Sequence, residues 1–118
     1  MKHAMTLLFL TTLLIAGCSG QKITGESVKE PTDAIREIKI DAFSFGYNPD
    51  TITVSKGEKV KISINNLDVL HGMRIPDYGI KGIEGLEFIA NKTGSFPWYC
   101  EIPCGPGHTT MNGTLVVT

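Results

Sequence analysis

The sequence predicts an all-β sandwich over residues 36–118, and three observations carry that expectation. Apolar and polar residues alternate with a period of two through several short runs. Clusters of Gly, Pro, Asn, Asp and Ser punctuate those runs at the spacing of turns between strands. No stretch after Arg36 sustains an apolar period near 3.6, so no helix competes for the same residues.

The first residues stand apart from that pattern. Lys2 gives a positive start, Met5 to Ala16 is a Leu-rich apolar run, and the small residues Ala16 and Gly17 lead to Cys18. This is the layout of a signal peptide over residues 1–17. The run is short for a membrane span, which takes about 20 apolar residues. Ile15-Ala16-Gly17-Cys18 is similar to the lipobox of bacterial lipoproteins, whose cysteine is lipidated and becomes the first mature residue. The expected location is therefore extracytoplasmic, on a bacterial membrane, in the periplasm or at the outer face of the cell membrane, with Cys18 as lipid anchor. Residues 18–35 read as a polar tether containing Gly20, Gly25 and Pro31. A flexible chain of that length holds a domain roughly 20–25 Å from its anchor.

The strands follow in order. Ile38, Ile40 and Ala42 alternate with Glu37, Lys39 and Asp41, and Gly46-Tyr47-Asn48-Pro49-Asp50 reads as a turn. Ile52 and Val54 form the next alternating pair, ended by Ser55-Lys56-Gly57-Glu58. Val60, Ile62 and Ile64 alternate with Lys59, Lys61 and Ser63, and Asn65-Asn66 reads as the break that ends this strand. Leu86, Phe88 and Ala90, then Phe96 and Trp98, then Leu115 and Val117 supply the remaining inward faces. A domain this small buries only roughly 60–65% of its unfolded surface, so a bound metal would add welcome stability.

Charge excludes one class of partner. The net charge is −1 for the whole chain and −2 once Lys2 leaves with residues 1–17, so no basic footprint for nucleic acid exists. Removal of residues 1–17 also takes His3, leaving His71 and His108 as the histidines, and Cys100 and Cys104 as the cysteines not assigned to lipid.

Both of these cysteines and one of the histidines fall in a single stretch, Cys100-Glu-Ile-Pro-Cys104-Gly-Pro-Gly-His108-Thr-Thr-Met111. Thiolate, thioether and imidazole together are soft ligands that suit copper. Pro103, Gly105, Pro106 and Gly107 forbid a regular helix, so the stretch is a loop between two strands, able to turn several side chains to one point. A Cys100–Cys104 disulfide is permitted outside the cytoplasm but leaves His108 and Met111 unexplained. A structural zinc site is a second reading, although the spacing is not that of the usual fingers. A mononuclear blue copper site of Cys104, His108, Met111 and His71 is a third, and leaves Cys100 as a spare thiol. The second cysteine points to two metals.

The spacing Cys100-x3-Cys104-Gly105-x2-His108-x2-Met111 resembles the CuA motif of subunit II of the haem–copper oxidases. Three further segments extend the resemblance: Ala42-Phe43-Ser44-Phe45-Gly46-Tyr47-Asn48-Pro49, Asp68-Val69-Leu70-His71-Gly72 and Gly113-Thr114-Leu115-Val116-Val117. The resemblance implies a cupredoxin-like Greek-key β-sandwich with two copper ions in a CuA centre. It implies that Cys100 and Cys104 bridge the coppers, that His71 and His108 each ligate one, that Met111 is a weak ligand of one, and that the Ile102 carbonyl serves the other. The stretch between His71 and Cys100 is shorter than in typical oxidase subunits, and a lipid anchor replaces the usual transmembrane hairpin.

The expected function is one-electron transfer, as an oxidase subunit II-like domain or a membrane-tethered carrier, between a c-type cytochrome or another donor and a membrane oxidase or reductase, by a protein that is not itself an enzyme. The competing class is a lipoprotein that delivers copper for oxidase assembly. Asp68 is read as a neighbour of a ligand, a docking residue or a turn residue, Met73 as core or a transient ligand, and Trp98 and Tyr99 as core and as lying behind the ligands rather than as an electron-entry site. Phe43, Phe45 and Tyr47 are divided evenly between core and docking roles.

Overall fold

The computed structural model describes residues 33–118; the expected signal peptide, Cys18 and residues 18–32 of the expected tether lie outside the described residues. Nine strands and two short 3₁₀ turns make up the domain: β1 (Ile35–Phe43), β2 (Gly46–Asn48), β3 (Thr51–Val54), β4 (Lys59–Asn66), β5 (Met73–Ile75), a turn at Pro76–Tyr78, β6 (Ile80–Gly82), β7 (Gly85–Ile89), β8 (Gly94–Tyr99), a turn at His108–Thr110, and β9 (Asn112–Val117). They form two sheets, with strand orders β2-β1-β4-β7 and β3-β9-β8-β5-β6. The all-β sandwich expected from the alternation is the fold.

Two parallel pairings organise it. β1 runs beside β4 with Ile38 opposite Ile62 and Ile40 opposite Ile64, and β3 runs beside β9 with Ile52 opposite Leu115 and Val54 opposite Val117. Each inward face then carries the residues that the period of two selects. Ile40, Ala42, Val60, Ile62, Leu86 and Phe88 come from the first sheet. They meet Val54, Met73, Ile75, Trp98, Leu115 and Val117 from the second. The outward face of the first sheet is charged, with Glu37, Lys61 and Glu87 in register across β1, β4 and β7.

Gly113 shows how tightly the second sheet closes. It lies opposite Trp98, and a Cβ at that position would fall inside contact distance of the indole ring and of the Asp50 carbonyl. Only glycine leaves room for the indole against the neighbouring strand.

Two local expectations are corrected, and one stretch the sequence left unassigned is filled. Gly46–Asn48 is a strand: Tyr47 pairs with Ala42 and buries its ring, which compresses the turn into Ser44 and Phe45. Asn65 and Asn66 remain inside β4, because pairing with Asp41 and Ala42 outweighs their weak strand preference. The Asn65 carboxamide also donates to Asp41 Oδ1 at 2.7 Å. Between His71 and Leu86 the chain inserts the β5–β6 hairpin, whose short strands carry too few residues to show a period. Among the described residues no helix is long and apolar enough to cross a membrane.

Candidate metal centre

The centre forms where β8 and β9 end. Tyr99 pairs with Asn112, and just beyond that rung the Cys100 N–H donates to the Met111 carbonyl at 3.2 Å. The two ends of the loop are thereby clamped as neighbours. Inside it, the His108 N–H donates to the Gly105 carbonyl at 3.1 Å, and the Thr110 N–H and hydroxyl both donate to the Gly107 carbonyl at 3.1 and 2.9 Å. These bonds close the 3₁₀ turn that presents His108. Gly105 sits at φ +139°, a conformation that favours glycine and lets the chain reverse after Cys104.

His71 arrives from the other side, just after β4. Its backbone N–H donates to the Asn66 carboxamide oxygen at 2.9 Å, and its side chain is fully buried. His71 Nε2 lies 2.7 Å from Asp68 Oδ1, while Nδ1 lies 3.9 Å from Cys100 Sγ. A carboxylate accepts only, so Nε2 carries the proton and Nδ1 presents its lone pair to the cysteines.

The donor atoms fall into two halves. Cys100 Sγ has His71 Nδ1 at 3.9 Å and the Ile102 carbonyl at 3.2 Å. Cys104 Sγ has His108 Nδ1 and Met111 Sδ, each at 3.8 Å. The two sulfurs are 3.7 Å apart. Two donors bound to one ion at about 2.0–2.3 Å stand roughly 3.5–3.8 Å from each other at a tetrahedral angle, so the spacings match shared coordination. A disulfide bond needs about 2.05 Å, and both cysteines are free thiols. His71, Cys100 and Cys104 present ligand atoms all within 4.8 Å of one another. With thiols, imidazoles and a thioether as donors, the set suits a soft metal such as copper.

Electrostatics follow from this crowding. Burial, and then the neighbouring Cys100, push the Cys104 thiol up from its ordinary range. Burial, and then the charge of Cys100, raise the Tyr47 phenol well above its usual value. The Tyr47 hydroxyl donates to the Gly72 carbonyl at 2.7 Å, next to His71. The bond from His71, reinforced by the Ser44 N–H at 2.7 Å, holds the Asp68 carboxyl far below the usual carboxylate range. Lys81, at 2.8 Å, lowers Glu101 and ties the loop to the β5–β6 hairpin.

The structure brings together all six residues expected at the site: His71, Cys100, Ile102, Cys104, His108 and Met111. Asp68 lies beside His71 and also in the turn, where its Oδ1 accepts from the Val69 N–H at 2.7 Å. Met73 and Trp98 are core, and Tyr99 lies half-buried beneath the Arg74 guanidinium, 5.2 Å from the ring centroid. The three aromatic residues divide: Tyr47 is core, whereas Phe43 and Phe45 are exposed. Asn66 and Glu101 were not singled out from the sequence, and a lone Asn at a strand end or a Glu in a loop carries no signal of such a role.

No established family model matches the chain. It is 32% identical over 82 residues to cytochrome c oxidase subunit 2 of Thermus thermophilus, covering 64% of this chain and 61% of that protein. The chain thus spans less than two thirds of the length of that relative. Among solved structures, the periplasmic domain of subunit II of cytochrome oxidase from Bradyrhizobium japonicum superposes with a TM-score of 0.62 at 18% identity, over 70% of this chain and 83% of that one. Auracyanin A, a "blue" copper protein from Chloroflexus aurantiacus, superposes with a TM-score of 0.56 at 19% identity, over 72% of this chain and all of that one. The fold is that of the cupredoxins, and the resemblance to the oxidase subunit II domain read from the motifs stands.

Proposed function

We propose that this cupredoxin domain carries single electrons through a two-copper centre held by His71, Cys100, Ile102, Cys104, His108 and Met111. The observation that carries the reading is the division of donors into two similar halves around a 3.7 Å pair of sulfurs. A mononuclear site of Cys104, His108, Met111 and His71 would leave Cys100, with the Ile102 carbonyl beside it, unexplained. Bound there, two coppers sharing both thiolates would supply a one-electron couple spread over two metals.

The chain's own part is to keep the donors still. Asp68 fixes the proton on His71 Nε2, the β8–β9 rung clamps both ends of the loop, and complete burial of His71 keeps water from that side. Both thiols and both imidazoles would be taken up as copper ligands, which supports a role as an electron-transfer domain rather than an enzyme by itself. Leu67, Val69 and Leu70, leading into His71, are exposed, as are Phe43 and Phe45. They offer an apolar rim to a c-type cytochrome or another donor, with a membrane oxidase or reductase as acceptor. The proposed setting is the outer face of a bacterial membrane, through lipidated Cys18 and the tether of residues 18–35.

The test is reconstitution of the domain with copper. Two coppers per chain, with an electron paramagnetic resonance signal split by both nuclei, is the expected result. One copper with a blue mononuclear spectrum overturns it.

A further inference from the structure

We propose that the turn Ser44–Phe45, between β1 and β2, is a strap that positions both histidine arms of the centre, with Phe45 acting as a positioning residue for the His108 arm. The inference rests on the two-copper reading above.

Two adjacent residues reach two different arms. The Ser44 backbone N–H donates to Asp68 Oδ2 at 2.7 Å, and Asp68 Oδ1 takes the proton of His71 Nε2 at 2.7 Å. The orientation of the first imidazole is thus set through one carboxylate by a backbone group of this turn. The next side chain turns the other way, onto the ligand loop. A Cβ at Gly105 would stand 3.1 Å from two atoms of the Phe45 ring, and a Cβ at Gly107 would fall inside contact with Phe45 itself.

Gly107 is the informative position. Its backbone, at φ −91° and ψ 7°, is the conformation of the third residue of a type I turn, which side-chain-bearing residues adopt, so its own conformation does not demand glycine. The demand comes from the Phe45 ring, which needs the space that a side chain would fill. Gly107 also precedes His108 and supplies the carbonyl that closes its 3₁₀ turn. The ring therefore bears on the segment that aims His108 Nδ1 at Cys104 Sγ. Phe45 is itself 39% exposed, so burial of a core residue does not account for its place. Pairing of Phe43 with Gly46 holds the turn from behind.

The test is a double-mutant cycle of Phe45→Ala and Gly107→Ala, read first on the copper-free domain by thermal melting and backbone amide shifts. Gly107→Ala should lower the melting temperature when Phe45 is present, and Phe45→Ala should recover most of that loss. Phe45→Ala alone should move the amide signal of His108 and leave that of His71. Additive effects of the two substitutions, or equal displacement of both histidines, would overturn the proposal. In the copper-loaded domain, Phe45→Ala should surrender copper to a chelator about tenfold faster and shift the paramagnetic signals of His108, with Phe45→Leu close to wild type. Ser44→Pro, which removes the donor N–H, should instead shift the signals of His71. If wild-type protein holds one copper, the two-copper reading fails, while the metal-free cycle still decides whether the strap exists.

Discussion

Asp68 and His71 form a carboxylate–imidazole pair at 2.7 Å, in which a half-exposed acid fixes the tautomer of a fully buried base. The pair reads outward to the Ser44 N–H and inward to Cys100, so the acid couples the surface of the turn to the metal centre. Replacing Asp68 by Asn keeps the shape and removes the charge that strengthens the imidazole as a donor. Copper affinity is expected to fall by about ten- to a hundredfold, with an upward shift in reduction potential. Competition with a Cu(I) chelator measures the first and voltammetry the second; wild-type values for both would remove Asp68 from the account.

The copper-free domain is expected to lose stability on the alkaline side. Burial raises both the Tyr47 phenol and the Cys104 thiol above their ordinary values. The folded state therefore holds these protons more tightly than the unfolded chain, where the groups titrate near about 8.5 and 10. The contribution is fully present below that range and is lost as pH rises through the unfolded values towards the raised folded ones. Urea midpoints at about pH 7 and pH 10.5 check the sign, and Tyr47→Phe should flatten the upper part of the curve. A midpoint that rises with pH would contradict the burial argument.

Met111 and His71 should differ in kind. Met111→Leu removes a weak thioether donor, so both coppers are expected to stay while the reduction potential shifts. His71→Ala removes a strong donor and opens the buried side to water, so copper retention should drop. The same chelator competition separates an electron carrier from a copper donor. Slow release with fast electron exchange with a reduced c-type cytochrome fits the carrier. Rapid transfer of copper to an apo-oxidase subunit, with slow electron exchange, would assign the domain to copper delivery.

Cys18→Ala should abolish labelling by a radioactive fatty acid and block maturation at residue 18. Equal labelling of the variant would dismiss the lipid anchor.

Much of the site was legible because its chemistry is local. Cys100, Cys104, His108 and Met111 lie in one loop, where spacing alone brings them near each other. His71 could be joined to them only as the one other remaining histidine and through its resemblance to a known ligand segment, because its neighbours in space are set by pairing of β4 with β1 rather than by sequence distance. Period-two alternation marked the inward faces of β1, β3, β4, β7 and β9 correctly. It missed β2, β5 and β6, which hold three residues each and owe their shape to their partners. Asn66 misled for the same reason: a residue that favours turns was kept in a strand, where its carboxamide holds the His71 backbone. Phe45 is legible only in three dimensions, since nothing in its own segment announces two glycines some sixty positions later.

The place of β9 has a consequence for biosynthesis. This strand lies between β3 and β8, so the second sheet has no continuous middle until residues 112–117 have been made. Met111 and the carbonyl that clamps Cys100 belong to the same late segment. A ribosome-bound chain lacking it has β3 unpaired and its thiols without a frame. Assembly of the donor set therefore waits until residues 112–117 have been added, and a chain exported during synthesis would reach the far side of the membrane before it could capture metal in the cytosol.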